Sequence, residues 1–295
     1  MGHVEWVTFA RVPHVPLAGE VLHASDPFEE PAGGGAVAAV QLARLAGSSL
    51  LVTALGEDEH GRQAVTRLGK LGAEVRAARR DAPTRTAVTL VDDIRERTIT
   101  TFGSRLEPTL DDGDIPWDVL AEMDAVYFTA GDAGALRAAR AARVLVCSPR
   151  AVDALGHGVP VDALVLSGND TIERREAARA LDDAELVVST EGERGGAYRQ
   201  RDGTSGRWTS PTPPGDPVDS YGCGDSFAAG LTYALGAGLA VPDALNLAAR
   251  CGAVCLTGRG PYQRQLNSIS LPLGSIGAPY EAQFWADQDR AHTEQ

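Results

Sequence analysis

Val218-Asp-Ser-Tyr-Gly-Cys-Gly-Asp-Ser-Phe-Ala-Ala-Gly-Leu231 is the stretch on which the reading of this chain turns. Gly222 and Gly224 permit a tight turn, and Ser226 to Leu235 has the composition of a buried helix. A turn of backbone amides that opens a helix can bind phosphate or a developing negative charge. Asp225 then has two readings. It is either a first-turn acid favoured by the helix dipole, or a base that takes a proton from an acceptor hydroxyl while the amides of Tyr221 to Gly224 hold a transferred phosphoryl group.

Outward from this turn the chain alternates strand and helix. Ala125 to Thr129, Val144 to Cys147, Ala163 to Leu166 and Leu186 to Thr190 are short apolar strands, with helical patterns near Ala133 to Ala142 and over Thr171 to Leu181. That alternation predicts a parallel sheet covered on both faces. Nearer the start, Val4 to Val12 reads as a strand. Gly33-Gly-Gly35 feeds a helix over Ala36 to Leu45, and Ser49 to Leu55 reads as a buried strand. His60 to Leu71 is a second helix, Glu74 to Arg79 a strand, and Pro242 to Leu256 a late helix. Pro13 to Pro31 mixes Pro, Gly and acids without helical period, while Thr86 to Val91 and Arg97 to Phe102 alternate in period two around a polar turn, as a hairpin does. From Gln263 onward no period is visible.

Composition excludes several functions. The 295 residues carry 27 Lys and Arg against 40 Asp and Glu, a formal charge of −13 that repels nucleic acid and anionic lipid. An anionic substrate would need a local site working against that field. Lys70 is the only lysine, and Leu71 follows it, so neither a P-loop nor a pyridoxal Schiff base is present. Cys147, Cys223, Cys251 and Cys255 form no Cys-x-x-Cys pair and the histidines lack zinc spacing, so any metal must be held by oxygen ligands. No signal segment or membrane-length apolar run is seen, and a cytoplasmic protein with reduced thiols is expected. Gly33-x-Gly35-x-x-Ala38 matches a dinucleotide-binding fingerprint, but the residues before it, Asp26 to Pro31, do not read as the strand that motif requires.

The catalytic turn resembles the Asp-Thr-x-Gly-Ala-Gly-Asp signature of the PfkB, or ribokinase-like, family of carbohydrate kinases. Pro16 to Glu20 resembles that family's Pro-x-x-Gly-Glu, Ala32 to Ala36 its first glycine signature, and Ala54 to Gly61 its Gly-x-Asp-x-x-Gly turn. Arg97-Thr-Ile99 resembles its lid strand, and Val187 to Gly196 its nucleotide-side strand and turn. The motifs run in family order over residues 2–260.

This resemblance implies an α/β fold similar to ribokinase, with a central mostly parallel sheet between helices and a small β lid. The main body would comprise residues 1–12, 32–82 and 106–295, and the lid residues 13–31 and 83–105. The implied activity is ATP-dependent transfer of a phosphoryl group to a hydroxyl of a sugar or nucleoside, with Mg2+ as cofactor and K+ as a candidate activator. A degraded, non-catalytic ligand-binding protein on the same fold is the alternative. Asp225 would be the base, with Gly222, Cys223 and Gly224 as the anion hole and Asp219 ordering the turn. Thr190, Gly192 and Gly252 would flank the nucleotide, and Gly33, Gly34 and Gly35 the acceptor. Asn169 with either Glu173 or Asp170 would serve magnesium, since Ile172 occupies the place of the family's glutamate. Val7, Gly35 and Ala38 stand where ribose-type members carry polar groups for sugar hydroxyls. The lid edges are candidate pairing edges for a homodimer.

Overall fold

The computed structural model describes residues 1–268. Its main sheet has six strands in the order β12-β11-β10-β9-β8-β7. These are β7 (Ala125–Phe128), β8 (Val144–Cys147), β9 (Val161–Ser167), β10 (Ala184–Thr190), β11 (Gly196–Gln200) and β12 (Ser205–Trp208). The first four pair in parallel, and β10, β11 and β12 continue antiparallel.

The strand interiors are apolar on both faces because both faces are covered. Leu145, Cys147, Leu164 and Val187 pack into one core with α3 (Ala133–Ala139) and α4 (Thr171–Ala177). Val146, Ala163, Val165, Leu186 and Val188 pack into the other with α5 (Cys223–Gly236) and α6 (Val241–Cys255). Continuous apolar strands are what a doubly covered parallel sheet requires. α5 and α6 touch closely: a Cβ on Gly230 would lie 2.7 Å from the Cys251 sulfur and 3.0 Å from the Ala248 Cα.

A second sheet has the order β2-β1-β5-β6, from β1 (Glu5–Arg11), β2 (Ser25–Ala32), β5 (Thr86–Val91) and β6 (Arg97–Phe102). β5 and β6 form the hairpin read from the sequence, in register Thr86 to Phe102 and Val91 to Arg97. All six residues of β6 are exposed at the sheet edge. β1 lies in this sheet, so the lid strands extend a sheet that begins with residues 5–11, which the sequence reading had grouped with the body. Its burial announces a covered strand, and burial does not say which strands it pairs with. Asp26 to Pro31, which did not read as a strand, lies within β2; the strand is antiparallel to β1 and at the sheet edge, where Pro27 and Pro31 are tolerated. The third unit is the parallel pair β3 (Ser49–Gly56) and β4 (Ala73–Arg80).

α1 (Gly34–Ala46) and α2 (Glu59–Lys70) complete this half of the molecule and share a core with β1 and β3, including Val7, Phe9, Val37, Val40, Leu55 and Leu68. Asp58 caps α2 by accepting from Gly61 N at 2.8 Å. It also accepts from Thr84 N at 2.7 Å, which ties the helix to the entry of the hairpin. Of the unassigned segment after Gln263, Gln265 donates to the Val37 carbonyl and Leu266 accepts from Gln41. Its remainder, from residue 269, lies outside the described residues. Among the described residues no helix is long and apolar enough to cross a membrane.

Candidate active site

Two helix starts meet at the site. α5 begins at the N-cap Gly222, whose φ of 81° is in the left-handed region, and no side chain caps it. Its first-turn amides at Cys223, Gly224 and Asp225 therefore have no capping side chain, and Gly224 is open on its side-chain face. The turn is fixed from behind by Asp219, buried to 3% exposure. One Asp219 oxygen accepts from Tyr221 N at 2.8 Å and the other from Gly260 N at 2.9 Å. Both oxygens are spent on backbone, so Asp219 orders the turn.

α1 begins at the N-cap Gly33, with φ 93°. Gly33 N donates to the Tyr221 hydroxyl at 3.3 Å, which binds this start to the turn before α5. The three glycines face different neighbours. A Cβ on Gly33 would lie 3.0 Å from the His3 ring; on Gly34, 3.0 Å from Asp225 Oδ1 and 3.3 Å from the Thr129 hydroxyl; on Gly35, 2.6 Å from the Gly2 carbonyl carbon. The structure thus brings Gly34 and Asp225, 191 positions apart in the chain, so close that a single added carbon would meet the carboxylate.

Burial raises the Asp225 pKa, Arg150 and Arg97 pull it down, Glu173 pushes it up, and the net direction is upward. A carboxylate shifted that way is a stronger base when it is ionised. Arg97, from the lid edge β6, also reaches the turn itself and donates to Ser220 Oγ at 3.2 Å.

The residues expected from the sequence to flank a nucleotide are Thr190, Gly192 and Gly252. Thr190 ends β10 and donates to the Leu166 carbonyl at 3.3 Å, and Gly192, φ 64°, opens the short 3-10 turn Gly192–Arg194. Gly252 sits on α6, where an added Cβ would be 3.2 Å from the Cys223 carbonyl, so its lack of a side chain lets α6 approach the start of α5. Cys223 lies beside the buried Cys255; contact with Cys255, burial and the Cys255 charge push its thiol up, so it is held as a thiol. All four cysteines are free.

Asn169 lies between β9 and α4, and Glu173 in the first turn of α4. Asp170 is the N-cap of α4, accepting from the amides of Ile172 at 2.9 Å and Glu173 at 3.1 Å. Glu173 is buried, with one oxygen on Ser167 N at 2.8 Å and the other on Arg150 at 2.6 Å. Asn169 Oδ1 accepts from Arg194 at 3.3 Å. With both Glu173 oxygens engaged, and no group of three or more His, Cys, Asp or Glu placed to hold a metal among the described residues, this is not a direct cation cage. The donors suit contact with a hydrated ion.

The sequence reading missed a group of residues that influence one another, His3, Glu5, Arg85, Arg105 and Arg150. Arg105 donates to the Arg150 carbonyl at 2.9 Å and pairs with Glu107. Arg85 Nε is 3.6 Å from Glu5. His3 and Glu5 share the start of the chain and the three arginines sit on separate segments, so no local spacing marks the group.

The family model for pfkB family carbohydrate kinases matches residues 2–153 and 162–266. The chain belongs to that family, and it is a carbohydrate kinase. Its fold is ribokinase-like. Among solved structures it is similar to ribokinase from Thermotoga maritima, with 19% identity, TM-score 0.70, and coverage of 91% of this chain and 95% of that one. Arabidopsis thaliana ribokinase, solved with ribose and ATP, gives 18%, 0.67, 88% and 92%. Phosphofructokinase-2 from Escherichia coli, solved with fructose-6-phosphate, gives 16%, 0.65, 86% and 91%. No curated protein matches the chain.

Proposed function

We propose that the protein transfers the γ-phosphoryl group of ATP to a hydroxyl of a sugar or sugar-like small molecule, with Asp225 as the general base. The observation that carries this reading is the position of Asp225 Oδ1, 3.0 Å from the Cβ site of Gly34 and in the first turn of α5. An acceptor seated over Gly33 to Gly35 has its hydroxyl within reach of that oxygen. As the oxygen–phosphorus bond forms, Asp225 takes the hydroxyl proton, the bond from phosphorus to the β,γ-bridging oxygen breaks, and ADP leaves. The amides of Gly222, Cys223 and Gly224 face the transferred group, where fixed dipoles stabilise the added charge without reorganising.

Thr190 and Gly192 line the nucleotide side, and Gly252 shapes the floor behind Cys223. Magnesium accompanying the nucleotide neutralises charge on its phosphates, and Asn169 and Glu173 are the oxygen donors that would meet its water shell. The lid carries Arg97 to the catalytic turn, so its closure brings a cation to the reacting region. Pairing of lid edges through the exposed β6 is the route to a homodimer, measurable by light scattering.

The test is ADP release from ATP and magnesium across sugars, nucleosides and polyols, with Asp225→Asn beside the native protein. Loss of the base lowers turnover by about 10²–10⁴-fold, while nucleotide binding is retained. Turnover undiminished in the variant removes Asp225 from the chemistry, and absence of nucleotide binding in the native protein removes the kinase reading altogether.

A further inference from the structure

We infer that Cys223 and Cys255 are a redox-active pair: a low-molecular-weight disulfide converts them reversibly to a cross-link that disorganises the turn before α5. The cross-link stands by itself, and only its effect on turnover rests on the kinase reading. Cys223 is the first residue of α5 and Cys255 the last of α6, where the two helices converge, and all four cysteines are free. The Cys223 and Cys255 side chains are in hydrogen-bond contact. Cys255 Sγ also lies 3.5 Å from the Tyr221 carbonyl oxygen and 4.0 Å from that of Pro261. A Cβ on Gly252, one turn before Cys255, would be 3.2 Å from the Cys223 carbonyl oxygen and 4.0 Å from its carbon. The last turn of α6 is therefore packed on the Cys223 backbone, the close approach that the short Cα–Cα span of a disulfide, about 4.4–6.8 Å, demands. The signature that this turn resembles has alanine where Cys223 stands, so the thiol is a feature of this chain.

The two thiols differ in access, and that sets the order of events. Cys223 is partly exposed, and Gly224 beside it has open space on its side-chain face. Cys255 is fully buried. A small disulfide such as oxidised glutathione therefore meets Cys223 first. Cys223 gives its proton to solvent and its sulfur attacks one glutathione sulfur; the glutathione S–S bond breaks, and the thiolate that leaves takes up a proton. Cys255 then loses its proton, attacks the Cys223 sulfur of the mixed disulfide, and expels the second glutathione. Two protein thiols are oxidised and one glutathione disulfide is reduced to two thiols. The attacking form is the thiolate, and contact with Cys255, burial and Asp219 push the Cys223 thiol up against the pull of Arg97. The exchange is accordingly slow and is read at equilibrium. The other cysteines face elsewhere. Cys251 lies against Gly230, whose Cβ would be 2.7 Å from its sulfur, and Cys147 belongs to the core on the opposite face of the main sheet.

The cross-link removes a donor that holds the turn. In the reduced protein the Cys255 S–H donates to the carbonyl of Tyr221, the residue before the N-cap Gly222. Disulfide formation consumes both S–H hydrogens, so the buried Tyr221 carbonyl loses that donor. Tyr221 is also the residue whose amide Asp219 holds and whose hydroxyl accepts from Gly33 N, so a disturbance there reaches the starts of both α5 and α1. Shortening a thiol contact to an S–S bond of about 2.05 Å draws Cys223 toward α6 as well. Its amide is one of the uncapped first-turn donors of α5. Fixed donors stabilise developing charge only while they are preorganised, so the oxidised form transfers phosphoryl groups slowly.

The experiment takes the full chain, reduced and freed of reductant, to equilibrium with oxidised glutathione and then returns it to dithiothreitol. Remaining thiols are blocked with N-ethylmaleimide, and the cysteine peptides are mapped by mass spectrometry. One linked pair is expected, Cys223 with Cys255, while Cys147 and Cys251 take up maleimide. ADP release should fall by about 10²-fold in the cross-linked protein, the scale of losing one donor of an anion hole, and recover in dithiothreitol. Amide hydrogen exchange over Tyr221 to Ser226 should rise on cross-linking. Cys255→Ser should stop at a glutathione adduct on Cys223, and Cys251→Ser should still form the link, with thermal unfolding as the check that both fold. Absence of the Cys223–Cys255 link, a link through Cys147 or Cys251 instead, or a link that leaves amide exchange or the turnover of the active enzyme unchanged would overturn the inference. A link with raised exchange in a protein that never releases ADP leaves the inference standing and sinks the kinase reading instead.

Discussion

Gly34→Ala separates stability from catalysis in this fold. Gly34 is the first residue of α1 and its φ lies outside the left-handed region, so alanine meets no backbone strain there. Alanine also reduces the freedom of the unfolded chain, which by itself stabilises by about 0.4–1 kcal/mol. The added methyl, however, sits 3.0 Å from Asp225 Oδ1 and 3.3 Å from both the hydroxyl and the methyl of Thr129. Ordinary contacts at a Cβ begin near 3.4 Å, so the Asp225 carboxylate must give by a few tenths of an ångström. A 1 Å misplacement at a reacting centre costs about 10²-fold. A shift of a few tenths, together with a methyl placed where the acceptor hydroxyl approaches, should lower kcat/KM by about tenfold. The melting temperature should be unchanged or slightly raised.

Gly35→Ala is the contrast, since its Cβ would fall 2.6 Å and 2.8 Å from the Gly2 carbonyl carbon and Cα, which are backbone atoms. One strand or helix must move, and the expected loss is about 1–3 kcal/mol of stability. A coupled ADP-release assay and thermal unfolding read both variants. Native kinetics in Gly34→Ala, or a melting loss equal to that of Gly35→Ala, would refute the placement of Asp225 against the α1 start.

Further outcomes follow from the charges and hydrogen bonds of the site. Because Asp225 must be ionised to act and its pKa is raised, kcat/KM should climb with pH along a limb displaced upward from that of an ordinary aspartate. Arg150→Gln removes the largest influence that lowers that pKa, so the limb moves to higher pH; a pH–rate profile that stays put or moves down contradicts the assignment. Asp219→Asn leaves one of two buried backbone donors, Tyr221 N or Gly260 N, facing an amide NH2. Denaturant melts should show a loss of about 1–3 kcal/mol, together with reduced turnover as the anion hole loosens.

How legible the site was depends on whether a role is local in the chain. The turn Asp219 to Asp225 could be read from seven consecutive residues, because a left-handed N-cap, uncapped amides and a first-turn acid are properties of one short segment. The hairpin Thr86 to Phe102 was legible for the same reason, period two around a polar turn. Partners across the fold were not. Glu173 reads as a metal donor from its place at the start of α4, and only the fold shows Arg150 holding one of its oxygens. Gly252 reads as a nucleotide neighbour, but what its missing side chain admits is the Cys223 carbonyl. β11 and β12 went unread because they are short, rich in glycine and arginine, and kept as strands by pairing with β10 and each other.

The placement of two helix starts also resolves a conflict in the sequence. Under the proposed function a chain of charge −13 would handle a triphosphate with a single lysine, Lys70, placed on α2. Each helix N-terminus presents about half a positive charge without any side chain. α1 and α5 bring two such termini together, linked by the 3.3 Å bond from Gly33 N to Tyr221. Contact this close demands glycine on both sides: a Cβ on Gly222 would lie 3.0 Å from Val37 on α1, and one on Gly34 would press on Asp225. The same glycines that expose the amides therefore let the two dipoles add at one point. Fixed backbone donors would take the place of mobile cations there, and the Arg97 guanidinium reaches the turn from β6. A lysine-poor, acidic protein can in this way present a positive field where phosphate moves and a negative one nearly everywhere else.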